Sequence, residues 1–180
     1  MTDAGRALPD TDWHVKKLYA FARDLGANVI AANYSRYVVD LNRPADDAAL
    51  YPGQLATGLV PEKTFDGSAF YLPGRGVTPG ERRERVEHYW QPYHDKLAET
   101  LEALRERHGY ALLWDAHSIA GEVPALFEGR LPDLNIGTND GASCDKQMAR
   151  RVLQVAESSE YSAVLNGRFK GGYITRHYGR

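Results

Sequence analysis

Several short stretches of the 180-residue sequence carry side chains able to do chemistry. In "ALLWDAHSIAGEVP" (111–124) an apolar run stops on Asp115, Ala116, His117 and Ser118. A histidine beside an acid at the carboxyl end of a strand is placed to bind a metal or to move a proton. Ligands collect at such edges in α/β proteins. The same residues also suit a rim histidine that only satisfies hydrogen bonds. "SRYVVDLNRP" holds Arg36, Asn42 and Arg43. An arginine fork grips a carboxylate with two parallel hydrogen bonds and asparagine adds a donor, so the stretch suits an anionic small molecule. Arg36 and Arg43 are seven residues apart, so a straight strand sends them to opposite faces, and convergence requires a bend. An ion pair of Arg43 with Asp46 or Asp47 is the structural alternative. In "LPDTDWHV", Asp10 and Asp12 either cap a helix or, with His14 nearby, meet His117 in space and form a metal site.

Two glycine-containing stretches are less specific. "NIGTNDGASCD" offers backbone N–H groups to an anion but lacks the lysine of a phosphate-binding loop. "NGRFKGGYITRHYG" carries Arg168, Lys170, Arg176 and His177 around Gly171-Gly172, which permits close approach. Cys144, at a predicted helix start, reads as inert packing or as a nucleophile working with His117 or His177.

The positioning elements follow from periodicity. Val15, Leu18, Tyr19, Ala22 and Leu25 predict a helix over about 12–25, ended by Gly26. Residues 27–34 and 36–42 read as strands. Residues 43–77, rich in proline and glycine, form a long irregular segment of the kind that serves as a lid or binding loop. Val86, Trp90, Tyr93, Leu97, Leu101 and Leu104 make one stripe on a helix over about 79–108, with a kink or break at Pro92 and a stop at Gly109. A strand over 110–118 follows, then a short strand in "DLNIGTNDG". A helix over about 144–158, capped by Ser143 with Met148, Val152 and Val155 inward, and a strand over 161–169 complete the order. Helices alternating with apolar strands predict an α/β fold: a mixed, mostly parallel sheet with helices on both faces.

Composition narrows the function classes. With 43% hydrophobic and 26% charged residues the chain can build a core, and a single domain over 1–180 is expected. A net charge of −2 gives no footprint for nucleic acid. No apolar run approaches the ~20 residues of a membrane span, and the N-terminal stretch has no signal-peptide core. One cysteine excludes an internal disulfide and suits the cytoplasm.

Taken together, "LPDTDWHV", "SRYVVDLNRP", "YPGQ…TGL", "FDG", "YWQPYH", "LLWDAHSI", "GRLPDLNIGTNDGASC" and "NGRFKGGYITRHYG" resemble the N-formylglutamate amidohydrolase family, from about residue 8 to 180. The resemblance implies an incomplete zinc-carboxypeptidase-like (phosphorylase/hydrolase-like) fold, related to the aspartoacylase group. It implies hydrolysis of N-formyl-L-glutamate to formate and L-glutamate, a step of histidine degradation. It assigns the metal ligands to His117 and Asp12, with Asp10 second. Asn42 and Arg43 become the pair that grips a substrate carboxylate, joined by Arg176, and Arg36 the group supporting the oxyanion. The cofactor implied is a divalent metal, zinc first, and the partner a small N-formyl amino acid. It also implies that a "PHSG"-like histidine motif and a "LEL"-like glutamate of the family lie outside this stretch, leaving strand edges that a homo-oligomer could pair. A non-catalytic carboxylate-binding module of the same fold is the alternative.

Overall fold

One long helix organises the molecule. Thr78 starts it with a capping box: its hydroxyl accepts from the Glu81 N–H, and the Glu81 carboxylate accepts from the Thr78 N–H. The helix runs as α3 (Pro79–Arg85), a π-turn (Val86–Trp90) and α4 (Gln91–His108), and ends on Gly109, whose φ of 80° a side chain would resist. The π-turn lies immediately before Pro92. Proline has no N–H to give the carbonyl four residues back, so the ladder is disturbed there, and Gln91 bonds Val86, five residues back, instead. The expected kink is thus a π-turn within a continuous helix. The predicted stripe faces inward, with Trp90 and Leu97 buried, and His94 joins it at 3% exposure. Trp90 packs with Val39, Leu59 and Val60, and Leu41, Val77, Val86, Tyr89 and Tyr173 surround this core.

The structure is a computed structural model describing residues 1–49 and 57–179; the "YPGQ" stretch (51–54) lies outside the described residues. Before the long helix come α1 (Asp3–Ala7) and α2 (Val15–Leu18), followed by a 3₁₀ turn (Ala20–Arg23). The helix predicted over 12–25 is therefore broken. Leu18 and Leu25 of its apolar face are 67% and 77% exposed, and a short helix without a packed face has little to sustain it.

The strand expectations need larger correction. Residues 27–34 and 110–118 form no strand; Val29, Leu112 and Trp114 remain exposed. Residues 36–42 form two consecutive turns, closed by Val38 N–H to Ser35 O (2.9 Å) and Arg43 N–H to Asp40 O (3.1 Å). The cause is Asp40, whose carboxylate accepts the Asn42 N–H at 3.0 Å and so competes with strand formation. Among the described residues the sheet is small: β1 (Leu134–Ile136) and β2 (Ala163–Leu165) pair in parallel, with Asn135 opposite Val164. The parallel pairing and the α/β class hold, while the broad mixed sheet reduces to these two strands. Between them α5 (Lys146–Glu157) packs on β2. Asp145 caps it rather than Ser143, accepting from the Gln147 and Met148 N–H groups. Its buried residue is Ala149, with Met148 and Val155 turned outward. The chain closes with α6 (Tyr173–Tyr178).

Candidate functional site

Asp12 and His117 meet, although the sequence separates them widely. The irregular stretch 110–118 brings His117 beside Asp12, just ahead of α2. Oδ1 of Asp12 accepts from the N–H and the hydroxyl of Ser118, both at 2.6 Å, and Oδ2 lies 3.2 Å from Nδ1 of His117. On the other side of the ring, Nε2 is 3.0 Å from Oδ1 of Asp115 and 2.9 Å from Nδ2 of Asn42. The same Nδ2 donates to Oδ2 of Asp115 at 3.2 Å. Oδ1 of Asn42 accepts the Ile174 N–H of α6 at 2.8 Å. Asn42 therefore ties the acidic cluster to α6. The close approach depends on Gly172, where a Cβ would stand 2.5 Å from the Asn42 carboxamide.

The electrostatics favour a cation in the middle. Desolvation opposes charge on the His117 ring, but hydrogen bonds from Asp115 and Asp12, with their Coulomb attraction, outweigh it and push its pKa up to about 10. Desolvation likewise opposes ionisation of Asp12, yet hydrogen bonds from His117 and Ser118 leave its pKa below the usual carboxylate value. The His117 side chain is 47% exposed, so solvent screens these interactions. At neutral pH the site is an imidazolium between two carboxylates. Asp12 and His117 are a sound donor pair for a divalent metal, oxygen and nitrogen meeting at one point. Among the described residues no group of three or more His, Cys, Asp and Glu side chains is arranged to hold one.

The arginines converge through the bend. Arg36 Nη2 donates to Oδ2 of buried Asp40 (2.5 Å) and to Oγ1 of Thr57 (2.8 Å), with its guanidinium 4.8 Å from the centre of the Phe65 ring. Arg43 donates from Nε to Thr57 O (2.7 Å), from Nη2 to Thr57 Oγ1 (3.2 Å) and from Nη1 to Asn42 O (3.0 Å). Two guanidinium groups thus share one threonine beside Asn42. Asp47 pairs with Arg82 at 2.8 Å. Arg176 lies on α6, where its Nε donates to Gly171 O at 3.2 Å.

Asp10 goes elsewhere. It accepts from the Tyr37 hydroxyl and from the Phe65 N–H, pinning that loop rather than capping a helix. Cys144 Sγ lies 3.5 Å from the Asp145 carbonyl oxygen, and His177 stacks on Tyr173 with ring centres 4.9 Å apart. The two glycine-containing stretches lock onto each other: Asn166 Oδ1 accepts the Thr138 N–H at 2.8 Å, and Lys170 O accepts the Asn139 N–H at 2.6 Å. Asp115 and Ser118 flank His117 in sequence, and that adjacency was the signal for their roles. Thr57 is marked in the sequence only as the threonine of the "TGL" motif, with no role attached to it.

The fold and this cluster define an α/β protein of the amidohydrolase kind. The structure of an N-formylglutamate amidohydrolase from Ralstonia eutropha JMP134 matches with a TM-score of 0.79 at 25% identity, over 93% of this chain and 65% of that one. The model of the N-formylglutamate amidohydrolase family matches residues 1–180, and the chain belongs to that family. The N-formylglutamate deformylase of Pseudomonas putida is 56% identical over 180 residues, 99% of this chain and 67% of the relative. That of Pseudomonas aeruginosa is 56% identical over 181 residues, 100% of this chain and 68% of the relative. The chain thus spans about two thirds of the length of these relatives. No described helix is long and apolar enough to cross a membrane.

Proposed function

We propose that the chain hydrolyses N-formyl-L-glutamate to formate and L-glutamate. The observation that carries this reading is the direct contact of Asn42 with His117 and Asp115, because it joins the cluster able to activate water to the stretch able to hold a carboxylate. Relatives 56% identical are named N-formylglutamate deformylases, which supports the same substrate.

Each residue has a chemical part. Glutamate brings two carboxylates; Arg43 and Arg176 are the groups suited to hold them, with Asn42 fixing the direction of approach. Arg36 adds positive potential where the formyl oxygen becomes negative as water adds. Asp12, kept ionised by Ser118, orients His117. A divalent metal, zinc by its preference for nitrogen and oxygen donors, would be held by Asp12 and His117; when bound it lowers the pKa of water and polarises the formyl carbonyl. His117 would hold such a metal only as the neutral imidazole, so the proton that the two carboxylates favour on its ring would have to leave.

Formate release from N-formyl-L-glutamate tests this, measured with added Zn²⁺, with chelator, and in His117→Ala. Expected are release abolished by chelator and a loss of at least about 100-fold in the variant. Release that survives both treatments would remove the metal reading. A second reading, a carboxylate-binding module without turnover, draws on the shared Thr57 contact of Arg36 and Arg43. It predicts glutamate binding without formate release, weakened by Arg43→Ala.

A further inference from the structure

The "YWQPYH" stretch has no part in the chemistry above, yet it buries Trp90 and His94 against the segment that carries Asn42. Leu41, Asn42 and Arg43 have all three backbone carbonyls occupied. His94 Nε2 lies 2.9 Å from Leu41 O, and Trp90 Nε1 donates to Arg43 O at 2.9 Å. Asn42 O accepts from Arg43 Nη1 at 3.0 Å and from the Tyr173 N–H at 3.4 Å. A carbonyl only accepts, so Nε2 of His94 carries the proton and Nδ1 is left to accept from the Tyr178 hydroxyl at 2.9 Å. Trp90 and His94 stand one helical turn apart and their rings stack, centres 3.9 Å apart. The carbonyls of the residues on either side of Asn42 are thus each held by a buried ring donor. Arg85, on the same side of the helix, donates to Val38 O at 3.0 Å. Residues five apart point about 140° away from each other on an ideal helix; the π-turn absorbs the extra residue and brings Arg85 and Trp90 to one side.

We infer that Trp90 and His94 are positioning residues for Asn42: by fixing the carbonyls before and after it, they set the carboxamide against Asp115 and His117 and the Arg43 guanidinium toward Thr57. This rests on the functional reading above for its effect on substrate. The ring donors act through the backbone and touch no reacting atom. Both rings are neutral, so they fix direction without drawing the substrate's charge away from the arginines.

The test compares His94→Phe, which keeps an aromatic face on Trp90 but has no ring nitrogen, with His94→Gln, which loses the stack but can both donate and accept. Trp90→Phe removes the other donor. Positioning predicts that His94→Phe and Trp90→Phe raise KM for N-formyl-L-glutamate about tenfold, the size of one well-placed hydrogen bond, with kcat per active enzyme changed less than about threefold. His94→Gln should recover most of the KM although its Tm does not recover. A merely structural role predicts the opposite: the active fraction and Tm fall together, KM is unchanged, and Gln gives no rescue. That outcome overturns the inference. The Asn42 side-chain amide pair in a ¹H–¹⁵N spectrum, assigned by its loss in Asn42→Asp, gives a readout independent of turnover. It should shift or broaden in His94→Phe and return in His94→Gln; an unmoved signal overturns the proposal. Wild-type protein with no turnover would defeat the functional reading alone, and the amide signal would still decide this one.

Discussion

His94 and His117 each have both ring nitrogens within hydrogen-bond reach of a partner, and the two surroundings drive them in opposite directions. His94 faces a carbonyl and a phenol inside an aromatic cluster of Trp90, Tyr173 and Tyr178; desolvation holds its pKa below the ordinary value. His117 faces two carboxylates on a half-exposed surface, and they hold it cationic. The number of hydrogen bonds is similar, so the charge of the partners decides. One region keeps its imidazole neutral and uses it to fix backbone; the other concentrates negative charge around a position that wants a cation. Asn42 stands between the two, its backbone belonging to the first and its carboxamide to the second.

The strongest way to break this division is to separate Asn42 from the acidic cluster without touching either histidine. Gly172→Ala places a methyl group 2.5 Å from the Asn42 carboxamide and must displace it. We expect formate release to fall about 10- to 100-fold, the scale of an ångström-sized misplacement. Thermal unfolding should show a cost of about 1–3 kcal/mol, the scale of overpacking. Unchanged turnover would mean that Asn42 does not link the regions.

A smaller effect should appear in the pH dependence of stability of metal-free protein, with opposite signs for the two rings. His117 has a folded pKa near 10 against 6.5 unfolded, so its contribution is fully present below about 6.5 and is lost as pH rises through about 10. His94 has a folded pKa lowered from 6.5, so the unfolded chain binds the proton more readily and stability is lost as pH falls below 6.5. Denaturant unfolding between pH 5 and 10, ranges set by these values, should show His117→Gln flattening the alkaline limb and His94→Gln the acid limb. Identical profiles for the two variants would erase the distinction.

The smallest effect sharpens the comparison by lying outside both regions. Lys96 and Glu99 pair at 3.0 Å on the exposed side of α4. Lys96→Met should change stability by no more than about 0.5 kcal/mol and leave formate release unaltered.

The long helix was legible in the sequence because a stripe of six apolar residues over nineteen positions admits one period, and the capping box "TPGE" was there to be read before it. The contact of Asp12 with His117 could be posed from the sequence as a condition, but only the chain path between them answers it. The segment 36–42 misled because Val38 and Val39 read as strand, while Asp40 closes turns through its own side chain. That same bend brings Arg36 and Arg43 onto Thr57, so the error in secondary structure and the convergence of the site have one cause. The segments 27–34 and 110–118 are apolar enough to read as strands, but a ladder needs a neighbour, and pairing is not written in a strand's own residues. Thr57 lies in the quoted "TGL" motif, but its role escaped because a threonine in an irregular segment carries no pattern of its own.

The π-turn at Val86–Trp90 gives the long helix one residue more than an ideal coil would need to cover the same surface. Removing any one residue of 86–89 would leave Arg85 and Trp90 four apart, about 40° on an ideal helix, so the coil would heal with both still facing the loop they jointly hold. Loss of a single residue along this stretch is therefore more tolerable than gain of one, and descendants of this sequence should include a shorter form whose helix runs through without the π-turn.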